Sequence, residues 1–157
     1  MKPFPPTAES VLKLSSNIRI FPIRHASSDV AQEVRDLFLD QRADCLAVSL
    51  PPSVEMLIEE GIDRLPKINL VVIPEPDQAD CSTCSYIPID PCQPIIMALR
   101  VAMSEGIDRA YIDRDVNIFE PLFFSSPDPY ALKQISLPTF AGAMMPFMPY
   151  PKPESQR

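Results

Sequence analysis

The residues that could do chemistry in this chain fall into small groups. Its single histidine, His25, closes an apolar run, I-R-I-F-P-I, while Asp113 and Asp115 close another, A-Y-I. Spaced two apart, the aspartates present both carboxylates to one face of extended chain. A histidine with two carboxylates can bind a divalent cation or act as a general base steadied by an acid. The plainer role for such a set is a turn-capping histidine beside solvated acids. Cys81-x-x-Cys84, with Cys92 eight residues on, forms a second group. That spacing suits two ligands of a zinc ion, with a fourth ligand to come from His25, Asp80 or Cys45. The alternative is simple free thiols. Zinc is the one ion this pattern suggests, and no motif names another cofactor. Ser49, Glu75 and Tyr86 complete the candidates, as side chains that could line a bound ligand.

The elements that must position these residues show in the apolar runs and their punctuation. Strands are expected near residues 18–23, 45–50, 68–73 and 109–113, each a short apolar run bounded by proline or polar residues. Helices are expected near 29–41, 53–60 and 91–105. The first has Asp29 or Ser28 as a cap and apolar Val30, Val34, Leu37 and Phe38 at helical spacing. In the last, Asp90 is a cap acid, Pro91 stands at the first helical position and Gln93 at the third. An internal echo, Glu60-Gly61-Ile62-Asp63-Arg64 and Glu105-Gly106-Ile107-Asp108-Arg109, is read as a recurrent helix-to-strand turn with a left-handed glycine. Strands alternating with helices imply an α/β fold: a mostly parallel open sheet of about four strands with flanking helices. A parallel sheet carries its site at the carboxyl ends of its strands, which would set His25, Ser49, Glu75, Asp113 and Asp115 on one rim.

Composition narrows the function classes. The formal net charge is -7 and no Lys/Arg run occurs, which argues against nucleic acid as a partner. Residues 1–6 lack an apolar core like that of a signal peptide, and no stretch reaches the roughly 18 apolar residues of a membrane span. A cytoplasmic location without membrane insertion is the expectation. With 20 prolines against 3 glycines, loops are stiff, and neither a dinucleotide-binding nor a Walker-type glycine loop can be drawn. The domain is expected over 1–139, with a short helix near Tyr130 to Ile135. A Pro- and Met-rich arm would follow over 140–157. Phe140, Met144, Met145, Phe147, Met148 and Tyr150 make that arm too apolar to be a solvated linker. It is expected to be extended and to join a partner subunit, giving a homo-oligomer or a piece of a larger assembly.

The segments I-R-H-A-S at 23–27, A-V-S-L-P-P-S at 47–53, Y-I-P-I-D-P-C-Q-P-I-I-M-A-L-R at 86–100 and Y-I-D at 111–113 resemble a bacterial family. That family is similar in its strand-end motifs to the erythromycin-esterase-like, ChaN-like and TraB/PrgY-like proteins, and the resemblance covers roughly residues 18–115. It implies a cleft centred on a histidine after the first strand and a glutamate after the second, with hydrolase activity, metal-dependent in some branches. His25 matches the histidine and Asp113 the acid of the later strand. The departures are Ser49 for the glutamate, Leu50 for the glycine beside it, Ala26 after the histidine, and Pro91 for an acid near the long helix. Losing two carboxylates removes a base and two metal ligands together. The expected function is thus a non-catalytic or degenerate binding or regulatory domain that forms assemblies. The alternative is a metal-dependent hydrolase with a strand-end His/Asp site.

Overall fold

Serine and proline open several of the helices described in this chain, and a glycine closes one. The computed structural model describes residues 15–75, 84–115 and 134–144. Backbone packing divides the chain into one unit of Met1–Pro22 with Phe123–Arg157, and another of Ile23–Leu122. In the second unit, helix α1 spans Ser28–Asp40 and is capped by Ser27, whose side chain accepts from the Val30 N–H at 3.4 Å. The expected caps, Asp29 and Ser28, instead fall inside its first turn. Strand β1 follows at Cys45–Val48, then a single 3-10 turn at Pro52–Val54 leads directly into α2 at Glu55–Asp63. Strands β2 (Asn69–Pro74) and β3 (Cys84–Ile89) precede helix α3 (Pro94–Glu105), which ends at β4 (Asp108–Tyr111).

The sheet departs from the expected four parallel strands. β1 and β4 pair in parallel, Val48 opposite Tyr111, but β2 and β3 form an antiparallel pair with Val72 opposite Tyr86. Residues 84–88 fall in the stretch from Pro74 to Pro88 expected as a connection, and Pro88 stands inside the strand. Their alternation is nonetheless that of a half-buried strand, with Ile89 in the core. No strand forms at 18–23. Ile18 and Ile20 are exposed, only a lone bridge occurs at Arg19, and Pro22 has no N–H to give a ladder.

Helix α3 is the buried axis of this unit: Ile95, Ile96, Ala98, Leu99, Val101 and Ala102 are all in the core. α1 packs on it from one side, and β1 and β4 from another. It starts at Pro94, later than expected. Residues 90–93 form a turn in which the Cys92 N–H bonds Asp90 Oδ1 at 2.8 Å and the Gln93 N–H bonds the Asp90 carbonyl at 2.9 Å. Its end is as expected: Gly106 is left-handed at φ 67°, and the Ile107 N–H reaches the Ala102 carbonyl at 2.9 Å.

The two echoes therefore diverge. Gly106 ends a helix, whereas Gly61 lies inside α2, which continues through Asp63 with an Arg64–Glu60 ion pair of 3.3 Å. Gly61 is required for a different reason, close approach: a Cβ there would stand 3.0 Å from Cγ1 of Ile89. In the other unit, α4 covers Leu137–Met144. It is opened by Ser136, whose carbonyl accepts from the Phe140 N–H at 3.0 Å and whose hydroxyl accepts from the Thr139 N–H at 3.4 Å. Helix thus replaces the extended chain expected from Phe140 to Met144, because Pro138 falls in the first turn, where a missing N–H costs no intrahelical bond. The rest of the arm, and Tyr130 to Lys133 of the expected short helix, lie outside the described residues.

Candidate functional site

The carboxyl ends of the parallel pair β1 and β4 stay zipped for a short way past the strands. The Ile112 N–H donates to the Val48 carbonyl at 3.0 Å, and the Asp113 N–H to the Leu50 carbonyl at 3.2 Å. This brings the loop Ser49–Ser53 alongside 112–115. Ser53, expected only as a helix cap, donates its hydroxyl across the loops to Asp115. Asp113 instead turns back on itself and accepts from the Arg114 N–H at 2.8 Å. Ser49, Asp113 and Asp115 are all exposed.

His25 lies in the turn that follows Arg24 and is exposed. The next residue, Ala26, has φ 56°, a conformation that costs a residue with a Cβ about 1 kcal/mol or more. Its N–H donates to Oε1 of Gln93 at 2.9 Å, which ties the histidine turn to the N-terminus of α3. Sequence reasoning placed Gln93 inside the helix and so missed this tether. The signal was present in the D-P-C-Q-P run, since a proline at 94 restricts the residue before it to extended conformations.

Glu75 and Tyr86 belong to the antiparallel pair. Glu75 follows β2 and accepts from the Ser85 hydroxyl of β3, so it closes a hairpin rather than joining the rim of a parallel sheet. Tyr86 is 66% exposed on the outer face of that hairpin. Cys84 and Cys92 are exposed free thiols, as is Cys45, and Cys81 lies outside the described residues. The Asp90 carboxylate pushes the Cys92 thiol above its ordinary range, by its charge and then by its hydrogen bond. Among the described residues, no three His, Cys, Asp or Glu side chains come together in a way that could hold a metal ion.

One charged layer was not foreseen. Arg109 of β4 grips Glu59 of α2 through Nε at 2.6 Å and Nη2 at 3.3 Å, both side chains about three-quarters buried. Two residues on, Tyr111 points to the same side of β4. Its hydroxyl is buried with no hydrogen-bond partner among the described residues. Burial, then the Glu59 and Glu55 carboxylates, push its phenol far above the ordinary range. The carboxylates of Glu55, Glu59 and Asp63 also line an open concavity of about 480 Å³ along α2. The arginine of the second echo could have been marked as an ion-pair partner, but nothing in its spacing points to Glu59, fifty residues away.

No family model, characterised protein or solved structure matches this chain. No helix among the described residues is long and apolar enough to cross a membrane.

Proposed function

We infer that this chain is a binding or regulatory α/β domain that works by association, having kept strand-end positions of a hydrolase-like cleft without its chemistry. The observation that carries the reading is the outer face of the β2–β3 hairpin, where Leu70, Val72 and Tyr86 are more than half exposed side by side. A contiguous apolar surface of this kind on a folded domain marks a contact site. The strand-end polar groups support the same reading. Asp115 is bound by Ser53, Asp113 by the backbone of Arg114, and Glu75 by Ser85, so each has a loop-fixing partner. The resemblance over residues 18–115 to hydrolase-like proteins supports this reading, with Ser49 in place of the cleft glutamate.

A hydrolase using His25 with Asp113 and Asp115 is the second reading, motivated by the exposed carboxylates of Asp113 and Asp115 just past the carboxyl ends of the parallel pair β1 and β4. The two are separated by assaying the full chain on chromogenic carboxylic and phosphoric esters, with and without added zinc, beside His25→Ala and Asp113→Asn. The binding reading expects no turnover that either substitution removes. Turnover abolished by both, in chains that melt like the parent, would establish the hydrolase and end the binding reading.

A further inference from the structure

β2 and β3 alternate cleanly. Val71, Ile73, Ile87 and Ile89 turn toward the core, while Leu70, Val72 and Pro74 of β2 turn outward opposite Pro88, Tyr86 and Cys84 of β3. Ile68, just before β2, continues the outward set at 63% exposure, beside Leu70 at 59%, Val72 at 54% and Tyr86 at 66%. Outward positions of a sheet that faces water normally carry polar side chains. Here none of the six outward strand residues is charged at neutral pH.

Area and charge together identify what fits. The four large side chains expose a few hundred Å² of mainly apolar surface, within the range of the largest patch on a typical monomer. Two such faces stacked together offer an area just below the roughly 1,000 Å² of a standard specific interface, the size of a weak, concentration-dependent contact, and strongly apolar contacts are characteristic of copies of one chain. Each copy carries a net charge of -7, so most approaches between copies are repulsive. Among the described residues, the outward side chains of this face, Ile68, Leu70, Val72, Pro74, Cys84, Tyr86 and Pro88, include no carboxylate, so stacking them brings none of their own against another. A basic partner, drawn by the acidic chain as a whole, would find no carboxylate among these described outward side chains. The prolines set the mode of contact: Pro74 and Pro88 interrupt the hydrogen-bonding rows of both strands, which discourages edge-to-edge pairing and leaves face-to-face stacking, about 10 Å between sheets.

We propose that the outer face of the β2–β3 hairpin is the docking surface for a second copy of this chain, the two hairpins stacking sheet on sheet. This rests on the binding reading and names its partner. The test is sedimentation equilibrium of the full chain from about 1 to 200 µM, for the parent and for Val72→Lys, Tyr86→Ser and Leu70→Ser, each checked by circular dichroism. The altered side chains are all more than half exposed, so their melting should match the parent. A parent dimer whose association weakens at least tenfold in each variant supports the proposal. A parent that stays monomeric across the range overturns it, as does a dimer that all three variants retain. Should a variant misfold, hydrogen exchange of the parent decides: peptides covering 69–74 and 84–89 must gain protection as concentration rises, and unchanged exchange refutes the contact. Failure here leaves the binding reading standing with another partner, whereas turnover dependent on His25 and Asp113 would remove that reading itself.

Discussion

The Tyr111 hydroxyl is a group whose burial is not repaid by a visible bond. A buried hydroxyl without a partner costs about 1–3 kcal/mol, so replacing it by hydrogen should cost nothing and can stabilise. Tyr111→Phe is expected to melt at or above the parent temperature at pH 7. A loss above about 1 kcal/mol would reveal a partner for the hydroxyl. The same residue gives a pH signature. Its folded pKa is raised above the ordinary value of 10.0, so the neutral phenol is favoured by folding. That contribution is complete below pH 10 and is lost as pH climbs from there toward the folded pKa. Thermal melts from pH 8 to 11 should show the parent losing stability above pH 10 more steeply than Tyr111→Phe. Parallel curves would mean that the phenol ionises as freely in the folded chain as in the unfolded one. None of this was legible in the sequence. A tyrosine in an apolar run reads as core, and only folding reveals that Arg109, two residues before it, delivers Glu59 to the same neighbourhood.

At the scale of elements, the two glycines of the repeated pentapeptide test whether the same letters do different work. Gly106 is left-handed with open space where a Cβ would lie, so Gly106→Ala should destabilise by about 1 kcal/mol through backbone strain, and Gly106→Asn by less. Gly61 is helical, where alanine would ordinarily gain up to about 1 kcal/mol. Yet a Cβ there meets the fully buried Ile89 at 3.0 Å, so Gly61→Ala should destabilise as well, by about 1–3 kcal/mol. Truncating the obstacle exposes the difference. In denaturant melts, Ile89→Ala should cost less in the Gly61→Ala background than in the parent, and no such coupling is expected with Gly106→Ala. Additive costs at Gly61 would sink the close-approach account. Helices were the legible part of this fold, because apolar spacing at Val30, Val34 and Leu37, or along Ile95 to Met103, has a period that only a helix satisfies. Their ends were less so. Ser27, Ser28 and Asp29 are all good caps, and the choice among them depends on where the preceding turn leaves the chain. The hairpin escaped because strand partners are set by tertiary pairing: nothing local distinguishes a run at 84–89 that pairs antiparallel with 69–74 from a loop bearing a proline.

For the whole molecule, the decisive fact is where the core lies. Among the described residues, the buried cluster runs from Val48 through Val54, Ile58, Ile62, Val71, Ile89, Ile95, Ile96 and Leu99 to Tyr111, with Ile23, Leu46 and Met103 packed against it. Every one of these residues falls between Ile23 and Leu122. Within that span lie α1 to α3, both strand pairs, the Arg109–Glu59 ion pair and the Gln93 tether of the histidine turn. The candidate site residues were legible only in part for the same reason: Ser49 and Asp113 follow apolar runs that become β1 and β4, but the run before His25 forms no strand, and Gln93 and Ser53 make their bonds to Ala26 and Asp115 across long stretches of sequence. A fragment of residues 23–122 should therefore fold alone, with one cooperative thermal transition and helical circular dichroism. Its length lies within the range in which single cores are self-sufficient. A broad, non-cooperative melt would show that residues outside this span complete the core. The fragment also separates the two routes to assembly, since it keeps the hairpin face and removes the Met-rich segment at 140–157. If hairpins stack, the fragment should dimerise with the affinity of the full chain. If the C-terminal segment carries the contact, the fragment should fold and remain a monomer at every concentration at which the full chain is a dimer.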